Sequence, residues 1–343
     1  MKARIEENWN SLLSLFPDDN IDIYYQEDYV RLYETNDHKA VSFLYIENND
    51  IFLFPFLRRE FIYNEALFYD FETAYGYGGP IYNTKDEQFI VRSWMAMFDY
   101  CRDNRYVAGF ARFHPLLRNF DSPALLDIVT HDRQTIAMDL TLTEGDIWLK
   151  EISGKNRNSI NKSVKSKLQF VADFDFRYID EFKGLYKRTM DRLKAQDFYF
   201  FEEEYFSDLY NSEFAKFLGI VIKDDLVIAG AIIMHSKYYG HYHLAASDPE
   251  YFYSNPNNYL VYECSKVLKS LGVQRFHLGG GSSSLENDSL YKFKKKFSQS
   301  TFNFYTGRFV FDEAIYKNLC RDWISKNSDK VDTYKAYHLK YKH

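Results

Sequence analysis

The sequence predicts an α/β (α+β) protein made of two tandem halves, each a mixed, largely antiparallel sheet flanked by helices. Three observations support this fold class. The 343 residues suit two domains of ordinary size. The element order hairpin, strand, helix, strand occurs twice, and the composition turns sharply basic between Gly145 and Lys167. We therefore expect one domain over 1–144 and a second over 145–343.

The elements of the second half form the clearer set. Apolar residues on either side of Asp224-Asp225 predict a β-hairpin. Asn255-Pro256, followed by Gly272, predicts the two ends of a helix. The predicted segments are, in order, the strand 170–178, the helices 180–195 and 203–211, the strands 218–223, 226–236 and 238–247, the helix 255–272, the strand 273–278 and a closing hairpin over 301–311 that turns near Gly307.

The first half repeats that order without clear residue identity. A hairpin turns at 48–50, a third strand enters a glycine-rich loop, and a helix with apolar residues at helical spacing leads to the next strand. Because the order recurs, we expect the two halves to share one topology. The predicted segments are the strands 41–46, 51–57 and 67–75, the helix 86–105 and the strand 107–113.

Composition and charge exclude several classes of protein. The net charge of −6 argues against a globally basic nucleic-acid binder, so any polyanion must meet a local basic patch. The three cysteines are widely spaced and form no CxxC pair, which argues against a disulfide framework and predicts no metal site. No run approaches the roughly 20 apolar residues of a membrane span. These features predict a soluble cytoplasmic protein.

Five short segments carry the strongest functional signal in the chain. The segment 153–163 reads SGKNRNSINKS, and 290–297 reads LYKFKKKF. The others are 75–80 (YGYGGP), 243–247 (HLAAS) and 272–281 (GVQRFHLGGG). Taken in chain order, they resemble motifs of the Fem (FemABX-like, peptidoglycan-bridge aminoacyltransferase) family and of the wider GNAT-like acyltransferase superfamily. The segment 153–163 is similar to the family's S-x-x-x-R-x-x-I-x-K-[AS] segment.

The resemblance implies two tandem GNAT-like domains and transfer of an acyl group to an amine. In the GNAT ground plan the fourth and fifth strands splay apart, and the donor's carbonyl lies in the gap. Here those strands are 238–247 and 273–278. Exposed backbone N–H groups in such a gap can bind the oxygen that becomes negative when the amine attacks.

The resemblance also implies the substrates. The donor of Fem enzymes is aminoacyl-tRNA, bound mainly at its acceptor end and without a further cofactor. The acceptor is an amine on a nucleotide- or lipid-linked peptidoglycan or other glycan precursor. We expect the second half to hold the donor and the first half to hold the acceptor.

A donor attached to coenzyme A is the main alternative. GNAT enzymes of that kind hold the pyrophosphate with an R/Q-x-x-G-x-G/A loop before the helix that follows the fourth strand. This chain has 254–259 (SNPNNY) there, with no glycine and no basic residue, and Pro256 removes an N–H donor. The loop favours a tRNA-borne donor. Acyl-CoA-dependent N-acylation of an amino sugar in surface-polysaccharide assembly stays open, as does a non-catalytic glycan- or peptide-binding module on the same scaffold.

The segment after the glycine run supplies most of the catalytic candidates. Lys294 and Lys295 are predicted to lie near the developing oxyanion, or else to form a solvated helix face. His243, on the fourth strand, is a candidate general base because imidazole titrates near neutral pH. Asp288 is a competing candidate for that role.

Substrate-binding candidates surround these residues in the sequence. Arg157, with Lys155 and Lys162, is predicted to bind the diphosphate of the acceptor, a role that suits the guanidinium fork. Tyr75 and Tyr77 are predicted to line the acceptor cleft of the first half. Glycines also permit a ligand to approach the backbone closely. The remaining candidates are Asp248, Asn258, Gly279, Gly280, Gly281, Ser282 and Tyr291.

Overall fold

A computed structural model describes residues 2–196, 199–285 and 287–343. No helix within these residues is long and apolar enough to cross a membrane. The strands are β1 (Lys2–Glu6), β2 (His38–Glu47), β3 (Asp50–Tyr63), β4 (Ala66–Glu72), β5 (Ile81–Tyr82), β6 (Tyr106–Arg112), β7 (Val129–Asp139), β8 (Gln169–Asp173), β9 (Lys216–Lys223), β10 (Leu226–His235), β11 (Tyr239–Ser247), β12 (Arg275–Gly279) and β13 (Thr301–Val310).

Helices of several lengths connect these strands. The α-helices are α1 (Asn10–Leu13), α2 (Glu27–Arg31), α3 (Glu87–Asp103), α4 (Glu144–Asp146), α5 (Gly154–Lys165), α6 (Ile179–Leu193), α7 (Glu203–Asn211), α8 (Pro256–Ser270), α9 (Ser289–Lys294), α10 (Glu313–Lys326) and α11 (Val331–Tyr334). Short 3-10 helices span Asp18–Asn20, Ile23–Tyr25, Pro123–Leu125, Pro249–Ser254 and Lys340–Lys342, and a π-helical turn spans Ile147–Glu151.

The chain divides into two compact units. The first comprises the residues up to Asp132 together with Phe304–His343, and the second comprises Arg133–Asn303. These bounds differ from the predicted segments 1–144 and 145–343. The difference arises because the end of β13 pairs antiparallel with β6 and so returns the last part of the chain to the first unit.

The first unit has the strand order β1-β2-β3-β4-β6-β13, in which β4 and β6 are parallel. Its helix α3 begins after Asp86, whose carboxylate accepts the N–H of Gln88. The core is filled with aromatic rings. The ring of Trp94 lies 5.3 Å from that of Phe52 and 5.8 Å from that of Phe309. Many of the aromatic residues in the sequence therefore pack in this core.

The second unit has the strand order β7-β12-β11-β10-β9-β8, in which β11 and β12 are parallel. Helices α5 and α8 pack together on one face of these strands, where Ile160 and Leu260 join the core. Helix α6 packs against β10 and β11, and Gly230 of β10 leaves room for the ring of Phe182. The unit thus holds one sheet covered by helices on its two faces.

The predicted topological repeat is confirmed. It appears as the β2–β3 hairpin, β4, α3 and β6 in the first unit, and as the β9–β10 hairpin, β11, α8 and β12 in the second. The predicted hairpin over 301–311 is wrong, because the segment is one strand in which Gly307 pairs with Ala111. A Cβ on Gly307 would lie 2.8 Å from the ring of Phe113, so close packing rather than a turn requires glycine there. Strand β7 was not predicted.

Candidate active site

The parallel strands β11 and β12 separate part-way along their length. They pair from Tyr239↔Arg275 to His241↔His277, whereas β11 continues to Ser247. Beyond that point β12 continues its pairing with β7. This is the splay predicted for the fourth and fifth strands. Backbone groups along such an opening are to be satisfied by water or by a bound molecule.

A β-bulge lies beside the opening. On its other edge β11 pairs with β10, where the register passes from Ile233↔Tyr242 to Ile232↔Leu244. His243 is therefore the extra residue of the bulge. A bulge bends the strand and re-aims the groups next to it, so the backbone of β11 is turned locally just where β12 leaves it.

The corresponding strands of the first unit stay together. There β4 and β6 pair through Glu72↔Phe110, at the end of β4, and the backbone N–H of Arg112 donates to the hydroxyl of Thr73 at 3.0 Å. A Cβ on Gly109 would overlap the ring of Phe71, which fills the space beside it. The opening that the GNAT ground plan requires for a donor is therefore a feature of the second unit.

Lys294 lies beside the loop into which β12 runs. It is buried at the end of α9, and its Nζ donates to the carbonyl of Gly280 at 2.7 Å. Burial lowers its pKa to about 8; the carboxylate of Asp288 opposes this shift, and the guanidinium of Arg133 adds to it. An amine with such a pKa can hold or release a proton near neutral pH. These properties fit the predicted catalytic role of Lys294.

Asp288 organises the loop between β12 and α9. It caps α9, and its carboxylate accepts the backbone N–H of Tyr291 at 2.8 Å. It also accepts the hydroxyl of Ser282 at 2.6 Å and the N–H of Ser283 at 3.0 Å. Burial raises the pKa of Asp288, but these hydrogen bonds outweigh burial and hold the pKa well below its usual value. A carboxylate so engaged is a weak base, which argues against the predicted general-base role.

The glycine run packs against the protein's own atoms. Gly279 has a φ of +77°, a conformation that favours glycine. A Cβ on Gly280 would lie 2.9 Å from the side chain of Arg133, and one on Gly281 would overlap the carboxylate of Asp288. Arg133 also donates to the carbonyl of Gly281 at 2.9 Å. The loop predicted to line the site is thus held in one conformation.

His243 is a neutral group in this structure. Its Nε2 shares a hydrogen bond of 2.5 Å with the hydroxyl of Tyr205, on α7. Burial, together with the nearby His241, lowers the pKa of His243 to about 3. An imidazole with that pKa is a much weaker base than a free one, so the geometry argues against His243 as the general base.

Two other candidates near α9 make local hydrogen bonds. The Nζ of Lys295 donates to the carbonyl of Gln299 at 2.6 Å. Burial lowers the pKa of Lys295, and the carboxylate of Glu151 opposes that shift. The hydroxyl of Tyr291 donates to the side-chain oxygen of Gln134 at 2.9 Å. Lys295 therefore points to the segment after the helix, while Lys294 points to the glycine loop.

Arg157 is bound to the backbone. Its guanidinium donates to the carbonyls of Ile152 at 2.7 Å and of Trp148 at 3.2 Å, in and just after the π-helical turn. Ser153 caps α5, whose first turn follows that π-helical turn. The S-x-x-x-R spacing thus has a structural reason. The serine caps the start of α5, and the arginine donates hydrogen bonds to backbone carbonyls of the π-helical turn before it. These bonds give Arg157 a structural role, and its binding of a diphosphate stays a prediction.

The remaining candidates of the second unit are either exposed or structural. Lys155 and Lys162 lie exposed on α5. Asn258 donates to the side-chain carbonyl of Asn156 at 2.6 Å and so ties α8 to α5. Asp248 caps the 3-10 helix that follows it, accepting a backbone N–H at 3.0 Å. Asn258 and Asp248 therefore shape the connection from β11 to α8.

The start of α8 offers few donors. A helix that binds a phosphate presents its first backbone N–H groups to it. Here Pro256 lacks an N–H, and Asn258 donates its own to the carbonyl of Asn255 at 3.1 Å. That carbonyl also accepts the hydroxyl of Ser163 at 3.1 Å, which fixes the loop against α5.

In the first unit, Tyr75 and Tyr77 belong to a cluster of tyrosine rings. The ring of Tyr77 lies 5.6 Å from that of Tyr24, and the carbonyl of Tyr75 accepts the hydroxyl of Tyr29 at 2.7 Å. Gly76 has a φ of +88°, and a Cβ there would lie 2.7 Å from Tyr24. The loop is therefore well defined, and its binding to an acceptor stays a prediction.

The structure adds residues that no motif signalled. Arg133 lies in a stretch for which the sequence predicted no element, and Tyr205 is one of 30 tyrosines. In the first unit His114 and Asp22 form a fully buried pair, with 2.8 Å between Nε2 and a carboxylate oxygen. They are 92 residues apart in sequence, so no spacing could have indicated the pair.

The splay, the bulge and Lys294 all lie within one segment that matches a known family. Residues 154–295 match the family model described as an acetyltransferase (GNAT) domain. This part of the chain is therefore a GNAT-type domain. No curated protein sequence matches it.

Solved structures show that the fold of the chain resembles that of FemX and of a tandem GNAT protein. FemX superposes with a TM-score of 0.68 at 13% identity, over 92% of this chain and 99% of FemX. The C-terminal domain of a putative lysylphosphatidylglycerol synthetase from Agrobacterium fabrum gives 0.54 at 16% identity, over 86% and 89%. A tandem GNAT protein from the clavulanic acid biosynthesis pathway gives 0.50 at 8% identity, over 90% and 98%. The predicted tandem fold is confirmed.

Proposed function

We propose that this chain is a GNAT-like acyltransferase that moves an amino acid from aminoacyl-tRNA to an amine of a peptidoglycan precursor in the cytoplasm. The observation that carries the proposal is the start of α8, where Pro256 lacks an N–H and Asn258 donates its own internally. A coenzyme A donor brings a pyrophosphate to this position, whereas an amino acid esterified to a tRNA ribose brings none. The resemblance to Fem enzymes supports the same donor.

The proposed reaction is aminolysis of an ester. The acceptor nitrogen attacks the carbonyl carbon, so that a C–N bond forms and the C–O bond to the ribose breaks. One proton passes from the nitrogen to the departing ribose oxygen. The carbonyl oxygen becomes negative in between, and backbone N–H groups of the β11–β12 opening are our candidates to bind it.

Lys294 is our candidate to supply positive charge or a proton to these oxygens. It is buried beside the glycine loop, and its pKa of about 8 lets the ammonium form persist at neutral pH while keeping it a usable acid. The acceptor is proposed to bind the first unit, through the loop that carries Tyr75 and Tyr77.

A second candidate function is acyl-CoA-dependent N-acylation of an amino sugar in surface-polysaccharide assembly. The match of residues 154–295 to a model described as an acetyltransferase domain favours it. In that case acyl-CoA is the donor, and its pyrophosphate binds elsewhere than in the usual pose at α8.

The test is a transfer assay with both donor classes. Purified protein is incubated with radiolabelled bulk aminoacyl-tRNA and a nucleotide-linked muramyl-peptide, and in parallel with acetyl-CoA and free amino sugars. We expect label to enter the muramyl-peptide, with a mass gain of one amino acid. Lys294→Met should slow this transfer by about 10²–10³-fold, whereas the exposed Lys292→Met should not. Acylation from acetyl-CoA alone, with no transfer from any charged tRNA, would establish the second function.

A further inference from the structure

One face of α5 carries a basic stripe, formed by Lys155, Lys162 and Lys165. At 100° per residue these three side chains fall within about 80° of one another around the helix, and all three are exposed. Asn158 lies between them on the same exposed face. The helix contains no acidic residue, although the whole chain has a net charge of −6.

The lysines of the stripe have no acidic partners within the part of the chain that the structure describes. Some surface lysines elsewhere are neutralised locally, as in the pair of Lys150 with Asp146 and that of Lys187 with Asp191, at 2.8 and 2.9 Å. Across residues 2–196, 199–285 and 287–343, no carboxylate forms an ion pair with Lys155, Lys162 or Lys165. Their charge is therefore available to an anionic partner.

The stripe begins next to the candidate catalytic lysine. The backbone N–H of Ser153, the cap of α5, donates to the carbonyl of Lys296 at 2.9 Å, and Asn156 donates to the same carbonyl at 3.3 Å. Lys296 is two residues from Lys294. Because a helix rises 1.5 Å per residue, Lys162 and Lys165 lie about 10 and 15 Å further along the axis than Lys155. The stripe thus leads away from Lys294 over the length of a few nucleotides.

We propose that the basic stripe binds the ribose-phosphate backbone of an RNA whose 3′ end reaches Lys294. The inference rests on the proposed function and adds the surface that holds its donor. Lysines that contact phosphates position a nucleic acid without reading its sequence. Such contacts suit a donor that is drawn from several tRNAs of different sequence. An anionic membrane is disfavoured, because interfacial helices insert a face of large apolar residues, and the apolar face of α5, with Ile160, is buried against the core.

The test measures binding of an uncharged acceptor-stem hairpin with a single-stranded 3′ end, by fluorescence anisotropy from 50 to 200 mM salt. The triple variant Lys155→Gln, Lys162→Gln, Lys165→Gln is compared with Lys39→Gln, Lys85→Gln, Lys326→Gln, which removes the same charge from exposed lysines elsewhere. We expect the stripe variant to bind at least about tenfold more weakly at 50 mM salt. Its slope of log K against log salt should fall by about 2, from roughly 0.7–0.9 per lost phosphate contact. The control should match the wild type.

Equal RNA binding by the two triple variants overturns the proposal, as does wild-type protein that binds vesicles of anionic lipid but no RNA. A 3′-aminoacyl-adenosine is a donor that lacks the RNA backbone. An assay with it distinguishes RNA binding by the stripe from the transfer reaction itself. We expect the stripe substitutions to lower kcat/KM at least about tenfold more with charged tRNA than with that donor. Stripe-dependent RNA binding without transfer from any charged tRNA would support the surface and count against the proposed function.

Discussion

The side-chain amine of Lys294 donates to the backbone carbonyl of Gly280 at 2.7 Å. This bond ties the end of α9 to the loop that leaves β12, at the edge of the opening between β11 and β12. A buried ammonium held by one carbonyl keeps further N–H donors for a second acceptor. The developing oxyanion of the substrate is the acceptor that the proposed reaction supplies.

Replacing Lys294 tests this role through the pH dependence of transfer. Because burial lowers its pKa to about 8, the charged form is lost as the pH rises through 8, and kcat/KM of the wild type should fall there. Lys294→Met should reduce kcat by about 10²–10³-fold, as loss of an oxyanion donor does. Lys294→Arg should keep part of the activity and lose the fall above pH 8. A fall at the same pH in Lys294→Arg contradicts the assignment.

His243 should be dispensable as a base. Its pKa of about 3, lowered by burial and by His241, leaves it neutral throughout the range from pH 5 to 8. We expect His243→Gln to retain at least about a tenth of wild-type kcat/KM and an unchanged pH profile, measured by initial rates. If His243→Gln removes a limb with an apparent pKa of 6–7, the histidine is the base after all.

Asp288 should contribute both to the free energy of unfolding and to the conformation of the loop between β12 and α9. Losing a helix cap costs about 1–2 kcal/mol in the free energy of unfolding, and Asp288→Ala should also lower activity because the loop beside Lys294 loosens. Its pKa is depressed in the folded state, so its contribution is present above about pH 4 and is lost as the pH falls further. Urea denaturation at several pH values measures this.

A matched cap in the first unit provides the control. Asp312 caps α10, accepting the N–H of Ile315 at 2.9 Å. Asp312→Ala should cost a similar amount of stability and leave transfer unchanged. Equal loss of activity in both variants would mean that transfer follows global stability rather than the loop.

Gly281→Ala should disturb the same loop by a different route. The new Cβ overlaps the carboxylate of Asp288, which cannot move without breaking its hydrogen bonds. We expect a loss of about 1–3 kcal/mol in the free energy of unfolding, typical of overpacking, and reduced kcat. Gly145→Ala, where the nearest atom is 3.9 Å away, is the control. An active, fully stable Gly281→Ala protein disagrees with this packing.

Arg157 should be a stability residue and not a ligand for phosphate. Arg157→Gln leaves the carbonyls of Trp148, Leu149 and Ile152 without this donor, which should cost about 1–3 kcal/mol. Lys155→Gln, on the exposed face of α5, should change the free energy of unfolding by less than about 0.5 kcal/mol. Denaturation curves and the KM for the acceptor together decide the case. If Arg157 bound a diphosphate, its replacement would raise the KM for the acceptor with little effect on the free energy of unfolding.

Local patterns were enough to predict much of the fold. The Asp224-Asp225 turn, the Pro256 helix start and the Gly272 stop are set by residues close in sequence, and all three lie where expected. The splay followed from the resemblance to a known fold. Strand β7 escaped because VTHDRQTIAMD has no regular apolar alternation at its start. The pairing of β13 with β6 joins residues about 200 apart, which no local pattern encodes.

The site was predicted less well, for a physical reason. Sequence identifies which groups can act as bases or bind phosphate, but their roles depend on partners from elsewhere in the fold. The carboxylate of Asp288 accepts hydrogen bonds from Ser282 and Tyr291. The guanidinium of Arg157 donates to backbone carbonyls whose positions depend on a π-helical turn. Lys294 could not be separated from its neighbours on the helix until its burial was known.

The measurement that tests the account most directly is calorimetric titration of the purified protein with acetyl-CoA and, separately, with bulk aminoacyl-tRNA. The closed start of α8 predicts no saturable heat with acetyl-CoA and saturable binding of charged tRNA. Micromolar binding of acetyl-CoA, lost on altering the 254–259 loop, would contradict the account and give the lead to acylation of an amino sugar from coenzyme A.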